Sequence, residues 1–200
     1  MAATNVQPYE IVAGPARVFI APVGTVFPAI DSEYGDGDFG TATWADLGHT
    51  DGGVQVAHSQ TIVALRTDQV TAPVKMVRSE EDLEITFSLA ELTLENYATT
   101  LNQFGDVVDV SGNRSINLYR GGSAVETFAL LVRGEQLSPY GPYHLQYEVP
   151  NVYQSGNPET AYTKDAKALL AVAFMAIAAN AFVDGTDDSD IFGVLRAGKA

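Results

Sequence analysis

The chain contains no cysteine and a single tryptophan. The first absence removes disulfides, thiolate metal sites and cysteine nucleophiles together. The second leaves no sugar platform to support a pair of hydrolytic carboxylates; Trp44 is read as core. Bases are also scarce, with 11 Lys and Arg against 25 Asp and Glu and a formal charge of −14. Such a charge repels phosphate and argues against ordinary nucleic-acid binding, although it leaves room for nucleic acid to move past without adhering. Charged residues of both signs make up 18% of the chain, below the roughly 25% of typical soluble domains. An exterior with so little charge has less surface that must face water, which favours burial against other copies.

Long apolar runs are missing as well. The longest, Ala168 to Ala179, spans twelve residues, short of the ~20 that a membrane-crossing helix needs. It reads as a buried segment, strand or helix: its alanines favour helix, while Leu170, Val172 and Phe174 alternate as in a strand. The start, MAATNVQPYE, has neither a basic cluster nor an apolar stretch, so no export signal and no membrane partner are expected.

Motifs of catalysis are absent. No Gly-x-Ser-x-Gly elbow and no phosphate loop ending in Gly-Lys-Ser/Thr occurs. His49, His58 and His144 are far apart and outside any metal-ligand pattern. Arg120-Gly121-Gly122-Ser123 reads as a turn. Asp36-Gly37-Asp38 and the run from Asp184 to Asp190 offer oxygen ligands but lack EF-hand spacing, and both read as solvated loops. No enzyme activity, cofactor or metal is expected.

What is present is strand. With 46% apolar residues over 200 positions, the chain can bury a real core as one domain spanning residues 1–200. Ala16 to Ala21 is a short strand. Asp31 to Gly40, with four acids and three glycines, is expected to be an exposed, mobile loop. From Gly53 to Arg78 the pattern predicts a long hairpin turning near Arg66-Thr67-Asp68. Val54, Val56 and His58 share one face of its first arm; Val70, Ala72, Val74 and Met76 share one face of its second. An arm of about twelve residues reaches roughly 40 Å, so part of it is expected to project beyond its domain. Pro73, without an N–H, points to an edge or a bulge. Leu83, Ile85, Phe87 and Leu89 alternate with Glu84, Thr86 and Ser88, a strand with one wet face.

Thr93 to Phe104 is the one predicted helix, with Leu94, Tyr97, Ala98, Leu101 and Phe104 at helical spacing and Gly105 as its stop. Ser115 to Tyr119 and Val125 to Arg133 are predicted to pair across Arg120–Ser123. In the next strand, Tyr143, Leu145, Tyr147 and Val149 alternate with His144, Gln146 and Glu148. The fold class is therefore mainly β, with one amphipathic helix packed on a sheet and a projecting hairpin.

Four segments together resemble the major tail protein, or tail tube protein, of long-tailed, siphovirus-type bacteriophages. They are GPARVFIAPVGTVFP at Gly14–Pro28, WADLGHTDGGV at Trp44–Val54, EEDLEITFSLAELTLENYATTLN at Glu80–Asn102, and YEVPNVYQSGNPE at Tyr147–Glu159. Their order and spacing agree across most of the chain; the alanine-rich run at Ala168–Ala179 and the acidic loop at Asp31–Gly40 depart from the pattern. The resemblance implies a β-sandwich or barrel of two packed sheets with one flanking α-helix and a long projecting β-hairpin, six copies in a ring, neighbouring hairpins joined into an inner barrel, and rings stacked into a tube through which DNA passes unbound. It also implies tape-measure, tail terminator and baseplate or distal tail proteins as partners, a place in the virion tail, and assembly in the host cytoplasm. Arms at residues 1–14 and 184–200 would order on assembly.

The sequence gives its own reason for self-association, because a long ribbon with unpaired edges aggregates unless something pairs it. Candidate contact residues are Val54, Val56, His58, Ile62, Leu65, Val70 and Val74, with Arg66, Asp68, Lys75 and Arg78 among the charged ones. The bases are expected at ring contacts, facing Glu80, Glu81 and Asp82 of a neighbour. The rival readings are a tube protein of a bacterial contractile injection apparatus and a monomeric β-sandwich binding module.

Overall fold

The structure, a computed structural model, describes residues 12–103, 107–118, 124–135, 138–141, 143–178 and 191–198. In chain order its elements are β1 (Ala16–Pro22), β2 (Ala45–Asp46), β3 (Thr50–Thr67), β4 (Val70–Leu89), α1 (Leu94–Thr100), β5 (Val107–Val110), β6 (Asn113–Ile116), β7 (Phe128–Gly134), β8 (Leu145–Gln154), β9 (Leu170–Ala176) and β10 (Val194–Ala197). Among the described residues the chain is mainly β with one α-helix, as its alternation predicts. The expected pair of packed sheets is instead one large antiparallel sheet, ordered β2-β1-β7-β8-β9-β4-β3 with β10 added on β8, and a small β5-β6 sheet. The large sheet curls until β1 touches β3, but among the described residues its two ends do not join and no barrel closes.

Period-two patterning builds the core. Val18 and Ile20 of β1, Leu130 and Val132 of β7, Ile85 and Phe87 of β4, and Val172 and Phe174 of β9 converge in one buried cluster. The alanine-rich run resolves as a strand because Leu170, Val172, Phe174 and Ala176 all fall on its core side. Each fully buried large apolar side chain contributes about 1.5–3 kcal/mol relative to exposure.

β7 is buried at every position, so a second layer must cover its other face. That layer is the segment from Val23 to Trp44. Phe39 and Trp44, both buried, pack on Phe19, Ala129 and Leu131. The expected mobile loop at Asp31–Gly40 is thus corrected: a 3-10 turn at Gly37–Phe39 drives Phe39 inward, where its ring meets Phe19 and Tyr34 at 4.9 and 5.2 Å. The acids of the segment hid an aromatic plug.

α1 is shorter than predicted. The Thr93 side chain caps it by accepting the Asn96 N–H, a typical N-cap. It stops at Thr100, and Asn102 takes a left-handed φ of 54°; Gly105, the expected stop, lies outside the described residues. The Asn102 side chain instead exchanges two hydrogen bonds with the Gln154 backbone, of 3.0 and 2.9 Å, tying the helix end to β8.

A second correction concerns strand partners. β6 pairs with β5 across Ser111-Gly112, both at positive φ as a two-residue hairpin turn requires, whereas β7 pairs with β1 and β8. The Arg120–Ser123 turn lies outside the described residues. So does most of both expected arms, although Val194–Ala197, within the second, forms β10 against Leu145–Glu148 of β8.

Candidate subunit interface

The hairpin exceeds its prediction. Its arms are the 18 residues of β3 and the 20 of β4, and the strand expected at Leu83–Leu89 is the lower end of β4 itself. β9 covers β4 only from Glu84 to Leu89, and β3 is the last strand in the sheet order. Among the described residues the ribbon therefore has two open edges: the outer side of β3, and β4 along residues 70–83. Beyond Ala57, opposite Glu84, β3 runs on to Thr67, roughly 30 Å at ~3.3 Å per residue.

Three irregularities shape it. At the root, Gly52 and Gly53 sit at φ +81° and +86° and form a two-residue bulge between the Asp51–Ser88 and Val54–Phe87 pairs. Bulges bend and twist a strand, so this one sets the angle at which the ribbon leaves the body. Ser79 is the extra residue of a second bulge, between the Thr61–Glu80 and Ile62–Arg78 pairs, and its hydroxyl donates to the Thr61 carbonyl at 3.3 Å. Near the tip, the ladder breaks between Leu65–Lys75 and Thr67–Val70. Pro73 falls in this break, where a missing N–H costs no ladder bond. The break also ends the single alternation expected through Val70, Ala72, Val74 and Met76.

Paired residues share a face and alternate along each strand, so the register assigns every side. The core face carries Val54–Phe87, Val56–Ile85, His58–Leu83 and Gln60–Glu81, then Ile62–Arg78 and Ala64–Met76. The outer face carries Gln55–Thr86, Ala57–Glu84, Ser59–Asp82 and Thr61–Glu80, then Val63–Val77 and Leu65–Lys75. Near the root the outer face is polar, with Glu80, Asp82 and Glu84 in file and no base among them. Above the Ser79 bulge both faces turn mainly apolar, each with one base, Arg78 and Lys75, and Ile62, Val63, Leu65, Val74, Met76 and Val77 are 39–58% exposed.

The structure sorts the sequence candidates. Val54 and Val56 are half-buried against the chain's own core. His58, Ile62, Leu65, Arg66, Asp68, Val70, Val74, Lys75, Arg78, Glu80 and Asp82 are exposed, and Glu81 is half-buried. Arg78 donates to Glu81 of its own strand at 2.7 Å, and Arg66 to the Thr71 carbonyl across the tip. Lys75 has no ion-pair partner among the described residues. Val63, Met76, Val77 and Glu84 were missing from the candidates; the apolar runs Ile62–Leu65 and Met76–Val77, which ignore period two, were the signal.

A second polar group lies on the covered side of β7 and β8. Arg133 is 5% exposed and donates to the carbonyls of Ile30 and Ser32 at 2.9 and 2.6 Å, with its guanidinium 4.9 Å from the Phe39 ring centre. Burial pulls its pKa below the ordinary value, while Glu33 and Asp31 oppose that. Gln146 donates to the Pro28 carbonyl and to Glu148, and Arg196 donates to Glu148. Gln146 and Glu148, which alternate with the apolar residues of β8, are both buried. The group's partners are loop carbonyls, so its role is to fasten the Val23–Trp44 layer.

The Asp184–Asp190 run and the Asp38 side chain lie outside the described residues; among the described ones no cluster of three or more metal-ligating side chains occurs. No helix among them is long and apolar enough to cross a membrane. The family model for phage tail tube proteins matches residues 2–186. The chain belongs to the phage tail tube protein family. Membership implies a structural component of the virion tail that assembles with its own copies into a tube. No curated protein matches the chain.

Proposed function

We infer that the protein is the tube subunit of a siphovirus-type tail, in which six copies close a ring edge to edge through the β3–β4 ribbon and rings stack into the conduit for DNA ejection. The observation that carries this reading is the pair of open edges, on β3 and on β4 at residues 70–83. When β3 of one copy meets β4 of the next, the antiparallel order continues and both edges are consumed. Closing the circle removes the last edge.

Electrostatics supports one orientation. The file Glu80, Asp82 and Glu84 stands on the face turned away from the chain's own core, and a bore lined by it repels phosphate and lets DNA slide. In this arrangement a tape-measure protein occupies the bore before ejection, with a terminator at one end and a distal tail protein at the other. Assembly takes place in the host cytoplasm, and residues 1–14 and 184–200 add contacts between copies. Negative-stain microscopy and light scattering of the purified chain test the reading. Closed rings or hollow tubes are expected; a monomer at every concentration would sink it in favour of a binding module.

A further inference from the structure

The foot of the open β4 edge is a fork in the sheet. β9 fills the lane between two strands, pairing with β4 from Glu84 to Leu89 and with β8 from Val152 to Gln154. Below Ala176 that lane changes hands. β7 takes one edge of β8 at residues 145–149, so β10, paired with Leu145–Glu148, lies along the other edge, in the lane that β9 has left. β4 does not follow it. Among the described residues no ladder joins β4 to β10: β8 and β10 stay with the body while the ribbon departs.

The strands part around a groove of about 440 Å³. Glu81 and Leu83 line its ribbon side, and Tyr147, Phe192 and Leu195 its body side. Direction matters here. β10 is antiparallel to β8, as β9 is, so it runs the way a neighbour's β3 would run against β4. A β3 strand laid along β4 from the tip therefore shares its lane with residues 191–197 and cannot pass them.

Something must fix where such a strand comes to rest. Register is set elsewhere by one buried face against one wet face. Above the Ser79 bulge both faces of the ribbon are mainly apolar, and a shift of two residues keeps every side chain on its side. The C-terminal segment is seated firmly enough to serve. Arg196 donates to Glu148, 1% exposed, at 2.8 Å, and the Ser138 hydroxyl donates to the Gly198 carbonyl. Gly193 lies so close to β8 that a Cβ on it would stand 2.6 Å from the Glu148 carbonyl oxygen.

We propose that residues 191–197 are a register stop: they end the lane in which β3 of a second copy pairs with β4. The inference rests on the tube reading above and adds what makes rings alike. Strands halted at one place close with one stagger, and stagger together with strand number sets the diameter of a barrel.

Two full-length variants dislodge the segment without touching the ribbon: G193V, which meets the Glu148 carbonyl, and G198V, which meets the Tyr143 ring. Each is compared with wild type by class averaging of negatively stained rings, and urea unfolding read through Trp44 confirms a folded body. Where one variant does not fold, the other decides. Wild-type rings should fall in one diameter class, and the variants should assemble into several, with open arcs among them. A single wild-type diameter in either folded variant would overturn the proposal while sparing the tube reading. Folded variants that stay monomeric beside an assembling wild type would overturn it too, since they would make the segment an adhesive and not a stop. A wild type that never assembles would overturn the tube reading with it.

Discussion

His49 and Glu91 meet where the ribbon joins the body. The His49 ring approaches the Glu91 carboxylate at 2.7 Å, and the His49 backbone N–H donates to the same oxygen at 3.2 Å. The side-chain hydrogen bond, then the backbone one, holds the Glu91 pKa below its ordinary 4.5, against a small opposing effect of burial. Because the folded pKa is the lower one, the pair's contribution to stability is present above the unfolded value and is lost as pH falls through the folded value. A carboxyl NMR titration should place the Glu91 midpoint below 4.5, and His49→Ala should move it back up. A midpoint unchanged by that substitution would remove the pair from any account of acid stability.

At the scale of elements, the Val23–Trp44 layer makes a sharp prediction. Phe39 is 2% exposed and meets Phe19, Tyr34 and the Arg133 guanidinium. Phe39→Ala should cost about 3–5 kcal/mol, read by urea unfolding through Trp44, the single tryptophan, which is fully buried. A loss near zero would mean that the layer is not fastened there. This layer was also the least legible part of the sequence. Asp31, Glu33, Asp36 and three glycines looked like solvent, and the decisive residues, Tyr34 and Phe39, have no periodicity because a 3-10 turn presents them singly. The hairpin was legible because its residues alternate, yet a span of Gly53 to Arg78 underestimates it, since β4 runs on through the charged residues Glu80 to Glu84 to Leu89. The buried row Arg133, Gln146 and Glu148 was invisible for a related reason. Polar residues on alternate positions imply water, and only the covering carbonyls of Pro28, Ile30 and Ser32 reverse that inference. Of the candidate interface, residues on the ribbon could be named from sequence, whereas the irregularities that shape it, the Gly52–Gly53 and Ser79 bulges, could not.

For the whole molecule, charge governs what the assembly can hold. Eleven bases are outnumbered by 25 acids, and counterion release cannot favour binding to a surface of the polymer's own sign. Purified protein, assembled or not, should leave the mobility of duplex DNA unchanged even at low salt, about 50 mM. Retardation of DNA by the tubes would contradict an acid-lined bore.

The sheet order also carries a consequence for the timing of synthesis. β9, which moors the ribbon to β8, lies at Leu170–Ala176, while the ribbon is complete at Leu89. On a translating ribosome, where chains emerge N-terminus first, the ribbon waits for some eighty further residues before its mooring arrives. The ribbon is thus translated early and made fast late, so that its fixed attitude on the body belongs to finished chains and not to nascent ones.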